Sequence, residues 1–148
     1  MDIKPQNILL NENYNAKVSD FGLSKLVDRD QSQVVTIMRG TPGYMAPKWL
    51  SSVITEKVDI YKFGVVLLEI LCGRRNIDRS QLEEAMHLLD LFKKKIEEEQ
   101  LLDLVDKYSD DMHLHGAKVV NTMRVAAWCL QNDFTKRPSM SILVKVVL

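Results

Sequence analysis

A chain of 148 residues is long enough for one domain with a sizeable core, and its 20 basic residues cancel its 20 acidic ones. That balance removes the electrostatic case for nucleic acid or an anionic membrane surface. The apolar fraction of 46% is ordinary for a globular protein, no apolar run reaches the roughly 20 residues of a membrane span, and the acid after Met1 excludes a visible secretory signal.

The chain opens as loop, strand, turn, strand. Ile8-Leu9-Leu10 is an apolar strand, Asn11-Glu12-Asn13 supplies turn chemistry, and Ala16 to Ser19 form a second strand that Phe21-Gly22 breaks. From about Leu23 to Tyr44 the sequence is rich in Ser, Thr, Gln, Asp and Gly. It reads as a long exposed segment of the kind that usually carries function, with Gly40-Thr41-Pro42-Gly43 as a turn near its end.

Val58 to Cys72 is apolar or small on nearly every face, which predicts a buried central helix capped by Gly73, with Arg74 and Arg75 at the negative end of its dipole. Gln81 to about Glu99 reads as an amphipathic helix striped by Leu82, Met86, Leu89 and Ile96. Its wet side allows Lys93–Glu97 and Lys94–Glu98 pairs. Leu101 to Val105 suggests a short helix, Ala117 to Gln131 a longer one, and Pro138-Ser139 opens a last helix that ends on apolar Leu148 without a cap, as if cut. The class is mainly α with a small β-ribbon. Cys72 and Cys129 lie inside apolar helical patterns and are expected as reduced core residues. His113 and His115 have no Cys or carboxylate framework around them, so no metal site is expected there.

The chemistry concentrates at the start. Asp2, Lys4 and Asn7, followed after a strand-turn-strand by Asp20-Phe21-Gly22, are the base-and-metal half of a phosphoryl-transfer site. Asp2 can accept the proton of an attacking hydroxyl. Asn7 and Asp20 offer hard oxygens to Mg²⁺, and Lys4 places positive charge near the transferred oxygens. A lone Asp-Phe-Gly is weak; Asp-Ile-Lys-Pro-Gln-Asn at this distance before it is strong.

On these residues the chain resembles the eukaryotic protein kinase family, and it stays in register to its end. Gly40 to Pro47 looks like the loop that closes the activation segment, Asp59-Ile60-Tyr61-Lys62-Phe63-Gly64 like the start of the large-lobe central helix, and Arg137-Pro138-Ser139-Met140 like a late Arg-Pro motif. The resemblance implies a truncated protein-kinase-like large (C-terminal) lobe. It makes residues 1–148 one partial kinase domain, from catalytic loop to last helix, with an activation segment over 20–48. It also implies ATP and Mg²⁺ as cofactors and protein Ser/Thr as substrate. Leu9 would then line the floor of the adenine pocket, Thr41 and Gly43 would face the substrate, and Asp59 and Arg137 would be structural. Ser24, Ser32 and Thr36 fall in the activation segment, and Ser32 and Thr36 are the better candidates for regulatory phosphorylation. Lys4 two residues after Asp2 is the serine/threonine pattern. "SDFGLSKL", "GTPGYMAP" and "CGRRN" are similar to plant lectin-type receptor-like kinases, whose kinase domain lies on the cytosolic side of a membrane span. A cytoplasmic location, or the cytosolic face of the plasma membrane within a longer receptor, follows.

The sequence also departs from that family. No Gly-x-Gly-x-x-Gly occurs in it, and neither the strand Lys and helix Glu of the small lobe nor a His-Arg precedes Asp2. With the small lobe absent, nucleotide would have a floor and no roof, a loss of several powers of ten in rate. The expectation is a serine/threonine kinase fragment that is catalytically deficient alone; the alternative is a non-catalytic binding module or a non-functional remnant. One side of Val58–Leu71 would lose its packing partner, which lowers stability. Lys48 stands where the family has a Glu that pairs with the late Arg, here Arg137, so an attraction becomes a repulsion, or else Lys48 turns to solvent and Arg137 finds another acceptor. Lys62 within the buried helix is expected to need a wet or a paired environment, the wet one reached by snorkelling.

Overall fold

A computed structural model describes residues 3–19, 41–45 and 56–147. Strands β1 (Ile8–Leu10) and β2 (Ala16–Val18) form an antiparallel ribbon in the register Ile8↔Val18, Leu9↔Lys17, Leu10↔Ala16. The turn between them is built by Asn11, whose Oδ1 accepts from the backbone N–H of Asn13 and Asn15, at 3.0 and 2.8 Å.

Five α-helices follow among the described residues: α1 (Lys57–Cys72), α2 (Leu88–Glu97), α3 (Asp110–Leu114), α4 (Gly116–Cys129) and α5 (Met140–Val147). The expected helix at 58–72 is present and central. Asp59 sits in its first turn, where an acid suits the dipole. Gly73 stops it in a left-handed conformation, φ 61°, that L side chains rarely adopt, and a Cβ there would also lie 2.6 Å from Asp106 Cγ. Val65 and Leu68 are completely buried, as are Met123 and Ala126 on α4. The two helices cross closely because position 64 has no side chain: a Cβ would stand 2.8 Å from Cys129 Cβ and 3.2 Å from Ala126 O.

The main core gathers Leu68, Leu88, Phe92, Val105, Met123 and Ala126. A second cluster joins Ile3 and Tyr44 to Tyr61, Val65 and Val66, fastening the two N-terminal segments to the central helix. Cys72 and Cys129 are free, buried thiols, each pushed up to about 12 by burial, so neither is a thiolate at neutral pH.

Two expectations change. The helix placed at Gln81–Glu99 begins only at Leu88. Before it, Glu83–Ala85 is a 3-10 turn, Ile77 bridges His87, and Leu82 points to solvent at 84% exposure. Among the described residues, the ion pairs on this helix are Lys95–Glu98 and Lys95–Asp103, at 3.0 and 3.1 Å, together with a loose Lys93–Asp90 contact, rather than the i,i+4 pairs of Lys93 and Lys94. Lys62 takes the second of its two expected environments: it is 1% exposed and engaged in the interior. On α1, Phe63 and Leu67 are half-buried and packed against the core, and Ile70 is 57% exposed.

Candidate active site

Ile3, buried against Tyr44 and Tyr61, fixes where the chain enters the site. Lys4 is extended, and Pro5 then opens a single 3-10 turn through Asn7, its preset φ suiting that first position. The turn closes with Asn7 N–H on Lys4 O at 3.0 Å. The Asn7 carbonyl accepts in turn from Ser19 N–H at 2.8 Å and from Ser19 Oγ at 3.2 Å. The ribbon thus brings Asn7 and Ser19 side by side, and Asp20 is the next residue along the chain.

Across from this ribbon end lies the 41–45 segment. Lys4 Nζ donates to Thr41 Oγ1 at 3.3 Å, a link between residues far apart in sequence. Thr41 O accepts from Tyr44 N–H at 3.2 Å, closing a turn with Gly43 at φ 91°. Leu9 is 56% exposed on β1. Asp2, Asp20, Ser24, Ser32, Thr36 and Lys48 lie outside the described residues.

Sequence reasoning did not single out Glu69 and Asn76, which hold this segment. Glu69 is 7% exposed within α1 and accepts from the Tyr44 hydroxyl at 2.7 Å and from Asn76 N–H at 2.6 Å. Asn76 Nδ2 donates to Gly43 O, while its Oδ1 accepts from Leu89 N–H at 3.2 Å and its backbone oxygen from Leu88 N–H at 2.8 Å. One acid and one amide therefore connect the 41–45 turn, the central helix and the start of α2. The signal that could have found Glu69 is the acid itself, inside an otherwise apolar run.

Arg137, 3% exposed, is held largely by carbonyl oxygens. Its Nε donates to Gln131 O at 2.8 Å and its Nη1 to Lys57 O at 3.0 Å, while its guanidinium lies 4.9 Å from the Tyr61 ring centroid. Lys57 Nζ answers by donating to Arg137 O and Pro138 O, at 2.8 and 3.0 Å. Burial pushes the Arg137 pKa down and that of Tyr61 up. Among the described residues, the buried Arg137 Nη2 has no hydrogen-bond partner. Carbonyl acceptors thus take up part of the charge for which the sequence reading sought an acid.

A family model described as the protein kinase domain matches residues 1–147. A G-type lectin S-receptor-like serine/threonine-protein kinase of Arabidopsis thaliana is 49% identical over 147 residues, 99% of this chain and 18% of that protein. One from Oryza sativa subsp. indica is 46% identical over 140 residues, 94% of this chain and 17% of that protein. The chain thus spans about a fifth of the length of these relatives. Among the described residues no helix is long and apolar enough to cross a membrane.

Proposed function

As the chain belongs to the protein kinase family, we propose that it supplies the base-and-metal half of a site transferring the γ-phosphoryl group of ATP to Ser or Thr of proteins. The observation that carries this reading is the paired bond of Ser19 to the Asn7 carbonyl. It supports a convergence of the Asn7 side chain with Asp20, the residue after Ser19. An amide oxygen and a carboxylate are hard donors of the kind Mg²⁺ takes, so Asn7 and Asp20 fit as the residues that would hold it. When bound, the ion supplies charge neutralisation at the phosphates.

The remaining roles belong to the chain's own groups. Asp2 accepts the proton of the substrate hydroxyl. Lys4 sits beside the transferred oxygens, its ammonium oriented by Thr41 Oγ1. The 41–45 turn, anchored through Glu69 and Asn76, presents the acceptor hydroxyl, and Leu9 offers an exposed apolar surface to the adenine. Ser32 and Thr36 are the regulatory phosphosites of this reading, and its setting is the cytoplasm or, within a longer receptor, the cytosolic side of the plasma membrane.

By themselves these 148 residues contain no Gly-rich loop, and positioning of the nucleotide from that side is worth several kcal/mol of barrier. The chain alone is therefore deficient in transfer. The test is phosphate transfer from labelled ATP to dephosphorylated casein. The chain alone is expected to give no transfer above background. Fused behind a small-lobe segment with a Gly-rich loop, strand Lys and helix Glu, it is expected to give transfer that Asp2→Asn or Asp20→Asn removes. Transfer by the chain alone rejects the deficiency. A folded fusion that binds Mg·ATP and transfers nothing rejects the enzyme in favour of a non-catalytic module.

A further inference from the structure

The packing of α2 against α4 leaves a furrow away from the ribbon. Its wider part encloses about 890 Å³ between the end of α2, the 3-10 turn at Leu101–Leu104 and α4. A narrower hollow of about 180 Å³, lined by Tyr61, Phe92 and Leu130 among others, shares Ile96, Ala127 and Gln131 with it, so the two lie side by side along α2. From Leu89 to Glu99 the furrow runs for roughly 15 Å at the helical rise. Ile96, Leu102 and Trp128 line it and remain 38%, 46% and 39% exposed. Trp128 is nonetheless fixed, because its indole N–H donates to Lys136 O at 3.0 Å.

Arg124 lies one turn before Trp128 on α4 and lines the same furrow. It is exposed and, among the described residues, makes neither a hydrogen bond nor an ion pair. On the other wall Asp103 is neutralised by Lys95 at 3.1 Å, which leaves Glu99, at φ 55°, as that wall's acid without a cation.

We propose that this furrow docks a short protein segment carrying one bulky apolar side chain and one carboxylate. The apolar side chain fills the narrower hollow, and the carboxylate pairs with the Arg124 guanidinium in the bidentate geometry that Arg favours. The elongated shape suits a chain rather than a compact ligand, and the narrower hollow exceeds the ~150 Å³ that suffices for a benzene-sized group. A rigid Trp beside an unpaired Arg is the pairing of residue types that carries most binding energy at interfaces. Glu99 repels a run of acids and so selects a segment with a single one. Neither ATP nor phosphoryl transfer enters this proposal.

Fluorescence polarisation tests it, with an array of labelled ten-residue peptides holding one Leu or Phe and one Glu at every mutual spacing. At least one spacing is expected to bind the chain saturably in the micromolar range, and about tenfold more tightly than the same peptide with Glu replaced by Gln. Arg124→Glu is expected to keep the thermal melt, since the side chain is exposed, and to reverse the preference toward a peptide with Lys in place of Glu. Trp128→Phe is expected to weaken both chains' best peptides. No saturable binding, or binding indifferent both to the peptide's acid and to Arg124→Glu, overturns the proposal. Dodecanoate binding through Arg124 while every peptide fails also overturns it, and assigns the furrow to a small amphiphilic carboxylate.

Discussion

At the crossing of α1 and α4, Val65, Leu68, Met123 and Ala126 have no contact with water; on the ribbon Leu9, Leu10 and Tyr14 are 56%, 61% and 84% exposed. The first region is held by shape, down to the missing side chain at Gly64. The second is held by directed bonds: Asn11 Oδ1 to two backbone amides, and Ser19 to the Asn7 carbonyl. The lesson is a division of labour. Apolar burial supplies free energy in proportion to area and tolerates no gap, whereas the ribbon contributes little stability and sets the position of a few polar groups that must stay open to a substrate.

The most severe challenge to this comparison is Phe92→Ala. Phe92 is 2% exposed, and its removal is expected to cost about 3–5 kcal/mol, a large part of a typical total of roughly 5–15 kcal/mol. Loss of the cooperative melt in circular dichroism checks it. Tyr44→Phe, at the joint of the two regions, removes a hydroxyl from the buried Glu69 carboxylate and is expected to cost about 1.5–3 kcal/mol in urea unfolding. An unchanged midpoint would mean the joint does not couple them.

Lys48→Glu works in the opposite direction. The kinase pattern has an acid there, and among the described residues the buried Arg137 Nη2 lacks an acceptor, so the variant is expected to melt several degrees higher. The thiols add a smaller, pH-dependent contribution. Cys72 and Cys129 are raised to about 12 in the fold, above the ordinary 9.0. The stability they confer is complete below pH 9 and is lost as the pH rises toward 12, because only the unfolded chain then releases those protons. A double Cys→Ala variant should show a shallower fall of melting temperature across that range. The smallest effect is expected from Leu10→Ala on the exposed ribbon, under about 0.5 kcal/mol. A cost near that of Phe92→Ala would erase the distinction between the two regions.

Much of the body was legible in the sequence. An all-round apolar stretch followed by Gly73 announces a buried helix and its end, because both signals are local. The start of α2 was not, since Leu82 and Met86 fit the stripe in sequence but the stretch is tied up by Asp78 and by the Ile77–His87 bridge, which a periodicity cannot register. Lys62 and Arg137 were legible as misfits in need of partners, but not which partners: the carbonyls that receive Arg137 belong to Gln131 and distant Lys57. Of the candidate site, the chemical identities of Lys4, Asn7 and Thr41 were readable from their motifs. The Lys4–Thr41 contact and the anchoring of the 41–45 turn were not, because they depend on which segments fold against one another. The furrow beside Trp128 has no sequence signature at all.

Asn76 deserves a last chemical consequence. Its amide faces two ways, giving a proton to the Gly43 carbonyl and receiving one from Leu89, with the Glu69 carboxylate a hydrogen bond away from its own backbone. Exchanging a single nitrogen for oxygen, Asn76→Asp, alters the outline of the side chain hardly at all. It nevertheless sets two anions side by side in a dry interior and turns a clasp into a wedge, released first on the side of the turn that would greet a substrate.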